Sequence, residues 1–304
     1  MSNITARVIA DSISPQNKRI TTLELVYPRF IHAEIMTHGL LSKNSASSRA
    51  IPAAKKRASV LLNPAIPLKW TKEHSGMQGY EYFDGIDSGK LSEYWLHLRD
   101  VAVKAQADLS DMGVSKQIAN RLLEPFEMHT CIVTATDYEN LTALRAHPQA
   151  EIHFQDLAYK IIDALNASEP KSLDWGEWHT PFADNITDVE CMEAFPYNYF
   201  ETPFEMQKVY HNDIARHILA IKIMVSTARC ARASYNNHEQ PKTIYDDVYM
   251  FRKLVENGHM SPTQHQAMSY EFTAGQYDGW LQHRKMLTGE RRTDDRIVKK
   301  FYKA

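Results

Sequence analysis

Residues 37–49, Thr-His-Gly-Leu-Leu-Ser-Lys-Asn-Ser-Ala-Ser-Ser-Arg, hold the side chains best suited to grip a ligand. Ser42, Asn44, Ser45, Ser47 and Ser48 lie between His38 and Arg49, after an alternating segment (20–27) and a break at Pro28. A buried hydroxyl or amide without a partner costs roughly 1–3 kcal/mol, so an apolar core has no use for this run. Two readings follow: a capping loop in solvent, or a polar cradle for an anionic or heterocyclic ligand with Arg49 as a bidentate phosphate partner. Arg121 and Arg145 raise the same question, because each sits in a largely apolar helical segment where an unpaired guanidinium is costly. Either carboxylates such as Glu124 and Asp137 pair with them, or an anion does. A nucleoside monophosphate would satisfy both.

The spacing of His38, Ser42, Asn44, Ser47 and Arg49 resembles the signature of the flavin-dependent thymidylate synthases, the ThyX family. That signature reads Arg-His-Arg, two residues, Ser, one, Asn, two, Ser, one, Arg. Thr37 and Gly39 stand where the two arginines of the triplet belong, and Ser45 stands where the family usually has Glu. Two further blocks are similar to family elements. Asn120-Arg-Leu-Leu-Glu-Pro125 resembles the Arg-x-x-x-Pro element, and Asn140 to Arg145 resembles the Asn-x-x-x-Leu-Arg helix. Ala231-Arg-Ala-Ser-Tyr235 and Gly258-His-Met-Ser-Pro-Thr-Gln-His265 look like two more, but they follow the arginine motif here instead of preceding it. Gln282-His-Arg284, with Glu290 beyond, is similar to a second copy of the Arg-His-Arg triplet. This order fits a circular permutation or two diverged copies. The second is preferred, because Gln282, Arg284 and Glu290 supply residue types missing at Thr37, Gly39 and Ser45.

The resemblance implies an α+β fold of long helices packed against an antiparallel sheet. It implies C5 methylation of dUMP to dTMP with FAD, NADPH and methylenetetrahydrofolate, in a homo-oligomer (dimer or tetramer). Hydroxymethylation of dUMP or dCMP is one alternative, and a non-catalytic nucleotide- or flavin-binding homologue is another. Carried over residue by residue, the nucleotide falls to Ser47, Arg49, Arg121 and Arg145, with Glu34 and Glu290. The flavin falls to His38, Ser42, Asn44, Asn140, Ser234, His259, Ser261, His265, Gln282 and Arg284. No protein nucleophile is implied. Arg284 and Arg29 are the candidates to replace the missing arginines, and an arginine placed at Gly39 is expected to crowd the site. Asn140 and Arg145 lie about 140° apart on a helix, so one helix is expected to serve two ligands side by side.

The elements that position these residues are read from periodicity and punctuation. Residues 18–36 predict a strand, a break at Pro28 and a helix start. Pro52 to Trp70 reads as a loose basic stretch, and Leu91 to Met112 as a long helix that Gly113 ends. Ser115 is placed to cap a helix through Leu123, Cys131 to Thr136 is β-rich, and Asp137 caps a helix that Pro148 stops. Ala150 to Asn166, Asp213 to Thr227 and Ile244 to Asn257 read as helices, and the tail from Arg291 as a basic helix. The domain reading is one half over 1–166, an aromatic and proline-rich linker or lid over 167–205, and a second half over 206–304.

Composition bounds the rest. A formal net charge of −2 over 304 residues gives no general attraction to nucleic acid or a membrane surface. Three separated cysteines read as reduced thiols, and no run approaches the roughly 18 apolar residues of a membrane span; the cytoplasm is the expected compartment. Neither G-x-G-x-x-G nor a P-loop occurs, and the 14 histidines form no H-E-x-x-H or other zinc spacing, so no metal is expected.

Overall fold

A computed structural model of the chain describes residues 3–76, 79–196, 214–235, 242–271 and 276–287. Glu290, the basic tail and residues 197–205 of the expected lid lie outside these. The architecture is α+β, with antiparallel pairing dominating its sheets. Two units divide it: Met1–Ile9, Thr21–Glu169 and Ala233–Asn237 form the first, and Ala10–Ile20, Pro170–Arg232 and His238–Ala304 the second.

In the first unit the alternating segment becomes β2 (Arg19–Pro28), with β1 (Thr5–Ile13) beside it. β6 (Met128–Ala135) pairs antiparallel with β2 from Thr21↔Ala135 to Pro28↔Met128. β3 (Ser42–Ser45) forms the edge, pairing with β6 from Ser42↔Thr134 to Ser45↔Cys131. Pro28 lacks a donor to continue the ladder. The chain turns there through a 3₁₀ segment, Arg29–Ile31, into α1 (His32–Met36). Helix α6 (Ile152–Asn166) buries Phe154, Leu157 and Ile161 against Leu23, Leu25, Cys131 and Val133 of the sheet. Glu151 fixes its start by accepting from the backbone of His153 and Phe154.

Three expectations are corrected in this unit. The stretch after Pro52 is not loose but forms α2 (Ala53–Leu62), since proline pre-sets the backbone just ahead of a helix and Ala-Ala-Lys-Lys-Arg-Ala propagates it. α3 (Gly85–Asp111) begins six residues before Leu91, while its end, at a Gly113 held at φ +84°, is where the sequence puts it. The helix expected after Ser115 is a single turn, α4 (Lys116–Ala119). It tightens into a 3₁₀ run, Asn120–Phe126, which accommodates Pro125. The short hairpin of β4 (Trp70–Thr71) and β5 (Tyr82–Phe83) precedes α3. α5 (Glu139–Arg145) stops ahead of Pro148 as expected, and the Asp137 carboxylate accepts from the Glu139 amide at 2.6 Å.

In the second unit β7 (Lys171–Ser172) pairs parallel with the end of β1. β8 (Trp178–His179), β9 (Ala267–Ser269) and β10 (Trp280–Gln282) make a separate antiparallel sheet in the order β10-β9-β8. Helices α7 (Asp188–Ala194), α8 (Ile214–Arg232) and α9 (Ile244–Glu256) enclose a core that includes Ile221, Val225, Val248 and Phe251. Thr187 and Thr243 open α7 and α9 with reciprocal capping boxes to Glu190 and Asp246. A 3₁₀ turn (Ser261–Gln264) leads into β9, and α10 (His283–Met286) follows β10.

Candidate functional site

Edge strand β3 separates two groups of polar side chains in the first unit. Ahead of it, Thr37–Leu41 turns from α1 into the strand. The Thr37 hydroxyl donates to the Glu34 carbonyl at 2.6 Å, and the Lys43 ammonium donates to the carbonyls of His38 and Leu41. α5 brings Asn140, Leu144 and Arg145 to the same place, where they and the Thr37–Leu41 turn line an open cleft of about 200 Å³.

Arg145 organises that cleft. Its Nε donates to His38 Nε2 at 3.2 Å and its Nη1 to Glu34 Oε2 at 3.1 Å, and its guanidinium lies 4.5 Å from the centre of the Phe154 ring. A guanidinium only donates, so the accepting His38 Nε2 carries no proton and the ring is neutral, protonated at Nδ1. Burial, then the charges of Arg145 and Lys43, hold the His38 pKa below its ordinary value. Burial and Glu151 raise that of Glu34 against the pull of Arg145. The carboxylate on Arg145 is therefore Glu34, and Asp137 caps α5 instead. Asn140 is exposed, and its side chain has no hydrogen bond among the described residues. Leu40 (53% exposed) and Leu144 (57%) form an apolar rim. Asn140 and Arg145 share one cleft, although 140° separates them around α5, because the helix ends at Arg145.

A flavin ring needs apolar faces and edge donors, and these residue types fit it. The volume is smaller than the roughly 300–1,000 Å³ of a site that encloses a drug-sized ligand. A cleft of this size has room for a ring and not for a whole dinucleotide cofactor. Gly39 lines the cleft, and a Cβ added there would meet nothing within 4 Å.

Within β3, Ser42 (1% exposed) and Asn44 (7%) point inward and are not in solvent, and the Asn44 Nδ2 donor is buried with no partner among the described residues. Beyond the strand the Ser47 amide donates to the Ser234 carbonyl at 3.0 Å, joining two motif blocks 187 residues apart in the chain. Glu124 is the hub of this second group. One of its oxygens accepts from Ser48 Oγ at 2.7 Å and Arg121 Nη1 at 3.2 Å, and pairs with Arg29 Nη2 at 3.1 Å. The Asn120 amide clamps the carbonyls of Ser48 and Ile51 at 2.8 and 3.0 Å. Arg49 is exposed, and its guanidinium has no partner among the described residues. From Leu41 to Ala46 the chain spans at most about 16 Å at strand rise. Arg49 and Arg121 thus gather at one end of β3 and Arg145 at the other.

Behind Glu124 lies a network that sequence reasoning missed. Arg29 also donates to His129 Nδ1 at 3.1 Å and approaches Glu127, whose carboxylate pairs with the buried Lys56. The His129 ring lies 4.4 Å from that of His32, which bonds the Tyr27 hydroxyl at 2.9 Å. Burial, then Arg29, pull His32 down to about 4; burial, His32 and Arg29 push His129 well below its ordinary value. Arg29 is therefore committed to this network and does not line the cleft as a replacement cation. The available signal was Glu124, already marked as a partner for Arg121; Lys56 and Glu127, 71 positions apart, gave none.

The remaining candidates belong to the second unit. His259 and Ser261 are exposed on the turn after α9. His265 is fully buried, and burial holds it near 3. The amide of Gln282 (2% exposed) and the Tyr277 hydroxyl both donate to the Gln264 carbonyl, at 3.2 and 2.9 Å, so the Gly-His-x-Ser-Pro and Gln-His-Arg blocks pack on each other. Arg284 is half-buried at the start of α10. Arg232, from the Ala-Arg-x-Ser-Tyr block, and Arg229 converge on the buried Asp247 with N–O distances of 2.7–3.0 Å. No metal-ligating cluster of three or more groups occurs among the described residues.

No protein-family model and no curated protein matches this chain. Among solved structures, a UMP/dUMP methylase PolB from Streptomyces cacaoi is similar in two of its complexes. The one bound with 5-Br dUMP has 15% identity and a TM-score of 0.41, covering 54% of this chain and 90% of that one. The one bound with 5-Br UMP has 16% identity and a TM-score of 0.43, covering 54% and 89%. At these values the likeness assigns neither family nor activity.

Proposed function

We propose that this chain binds a pyrimidine deoxynucleoside monophosphate and modifies its C5 position in a flavin-dependent reaction, methylating dUMP with methylenetetrahydrofolate and NADPH. One observation carries the reading: His38 from one motif block, and Asn140 and Arg145 from another, line a single cleft, and His38 and Arg145 touch. The Ser47–Ser234 contact and the orphaned Asn44 amide support it.

When bound, a reduced flavin supplies the hydride and mediates one-carbon transfer. The chain's own tasks are positioning and charge. Arg145, held by Phe154, His38 and Glu34, presents a fixed cation to the nucleotide. Neutral His38 offers a donor at Nδ1, and Asn140 a free amide for a heterocycle edge. Arg49, with Ser47 beside it, accepts the phosphate, and Arg121 joins them when Glu124 releases it.

Hydroxymethylation, in which water ends the reaction, is the second reading, and a specific observation favours it. Thr37 and Gly39 line the cleft where the family places arginines, so among the described residues the only guanidinium there is that of Arg145. Product analysis after incubation with dUMP or dCMP, methylenetetrahydrofolate, FAD and NADPH tests both. A methylated product is expected, a hydroxymethylated one selects the second reading, and a protein that binds no flavin and no nucleotide refutes the proposal.

A further inference from the structure

Glu124 stands among the residues given to a phosphate, and it carries the wrong sign for one. Its Oε1 meets three donors, the Ser48 hydroxyl at 2.7 Å, Arg29 Nη2 at 3.1 Å and Arg121 Nη1 at 3.2 Å. Its Oε2 has no hydrogen bond among the described residues. The three donors are not held alike. The Arg29 side chain is 17% exposed and also bonds His129, and the Asn120 amide clamps the Ser48 carbonyl, so these two are fixed. The Arg121 side chain is 54% exposed and meets Glu124 because side chains three apart eclipse on a 3₁₀ run. An ion pair so exposed contributes little. Arg121 can therefore leave, while Glu124 is held in place.

The turn beside it is cationic. The Arg49 guanidinium has no partner among the described residues, and Lys116 Nζ donates to the Ala50 carbonyl at 2.9 Å. Ser47 Oγ accepts from the Arg49 amide at 3.3 Å, which leaves the Ser47 hydroxyl proton for a ligand. Arg49 and Arg121 match the charge of a phosphate monoester, about −1.5 to −2 at pH 7. An anion that takes Arg121 lies across one guanidinium from a fixed carboxylate, inside the Debye length of about 8 Å at physiological salt. Any further charge on the ligand faces that carboxylate, and the repulsion grows with each phosphate added.

We infer that Glu124 limits the charge of the ligand this site accepts: it holds Arg121 when the site is empty, yields it to a phosphate monoester, and turns away nucleoside di- and triphosphates. The role rests on the nucleotide site proposed above. It adds a specificity residue at a position where the Arg-x-x-x-Pro element asks for no particular side chain.

Calorimetry on the full chain with deoxyuridine, dUMP, dUDP and dUTP, at constant ionic strength and without divalent cations, tests it. Wild type is expected to bind dUMP tightest of the three nucleotides, a check that needs no variant. Glu124→Gln keeps the side chain's shape and an oxygen for Ser48. Arg29 keeps its bond to His129 and its approach to Glu127 at 3.9 Å, so the far-ultraviolet circular dichroism should be unchanged. The variant should bind dUMP about three- to ten-fold tighter, gain more for dUDP and most for dUTP, and bind deoxyuridine as before. A carboxylate that merely braced the turn would give the opposite sign, with dUMP bound more weakly by the variant. That result, an equal change for deoxyuridine and dUMP, or a wild type that binds dUTP as tightly as dUMP overturns the inference and leaves the nucleotide site standing. A wild type that binds neither dUMP nor deoxyuridine removes both.

Discussion

The two units treat similar motif residues in opposite ways. In the first, His38 and Arg145 are half-buried beside an open cleft, and each keeps a face toward it. In the second, His265 and His283 are sealed in the interior, neutral, with His283 stacked at 6.0 Å on Phe251 and edge-on to Trp178. Its arginines Arg229 and Arg232 are spent on one buried carboxylate. A histidine or arginine in a ligand-type motif thus does one of two jobs. What decides between them is whether packing leaves the group a face toward an opening: the sealed His283 ring keeps neither nitrogen hydrogen-bonded among the described residues, and burial alone holds it neutral.

Asp247→Ala breaks this contrast hardest. It strips the shared carboxylate from two partly buried guanidiniums, so the chain should lose about 3–5 kcal/mol of stability by denaturant titration. Unchanged stability would mean the second unit's charges are not structural. Arg145→Ala is the counterpart in the first unit. Nucleotide affinity by calorimetry should fall by about 2–5 kcal/mol, while the melting temperature moves little. A variant that loses flavin and keeps nucleotide would reverse the ligand assigned to Arg145.

His283→Phe sharpens the comparison through pH. Burial lowers the folded imidazole to about 3, whereas the unfolded one titrates near its ordinary value of about 6.5. Between those values the unfolded chain binds a proton that the folded chain refuses, so stability falls as pH drops through this window. Phenylalanine removes that proton from the unfolded state. The variant should therefore gain about 2 kcal/mol relative to wild type on going from pH 8 to pH 5. A pH-independent difference would show that His283 is not the sealed, neutral ring described. Smallest of all, Gly39→Arg should change stability by less than about 0.5 kcal/mol, since its Cβ meets nothing. If flavin oxidation kinetics then speed up, the missing cation mattered; if the protein unfolds, the cleft is tighter than its geometry says.

Much of the first unit was legible in the sequence. Alternation over 20–27 marked β2, Pro28 its end, Gly113 the end of α3, and Asp137 with Pro148 the limits of α5. The family resemblance gave His38 and Asn140 to one ligand and Arg145 to its neighbour, and the three line one cleft. What stayed hidden depended on partners distant in the chain. Nothing local marks Lys56 and Glu127 as a buried pair, nor Ser42 and Asn44 as inward-facing on a strand; pairing with β6 makes them so. Of the three arginines expected at one phosphate, Arg145 bonds His38 ahead of β3, and Arg121 shares Glu124 with Ser48 beyond it. Likewise His265 and His259 share a motif, but one residue enters the core and the other stays outside.

The Ser47–Ser234 hydrogen bond also sets a clock on synthesis. The first unit draws its last segment from residues 233–237, so a ribosome must deliver some three-quarters of the chain before that unit can close. Until then the turn after β3 lacks the carbonyl that receives the Ser47 amide. Contacts this distant in sequence slow folding and lengthen the time partly built surfaces stay exposed. A fragment ending at Glu169 should consequently emerge with its sheet largely in place and its Ser47–Arg49 turn unanchored, sensitive to protease there and insensitive in the intact chain.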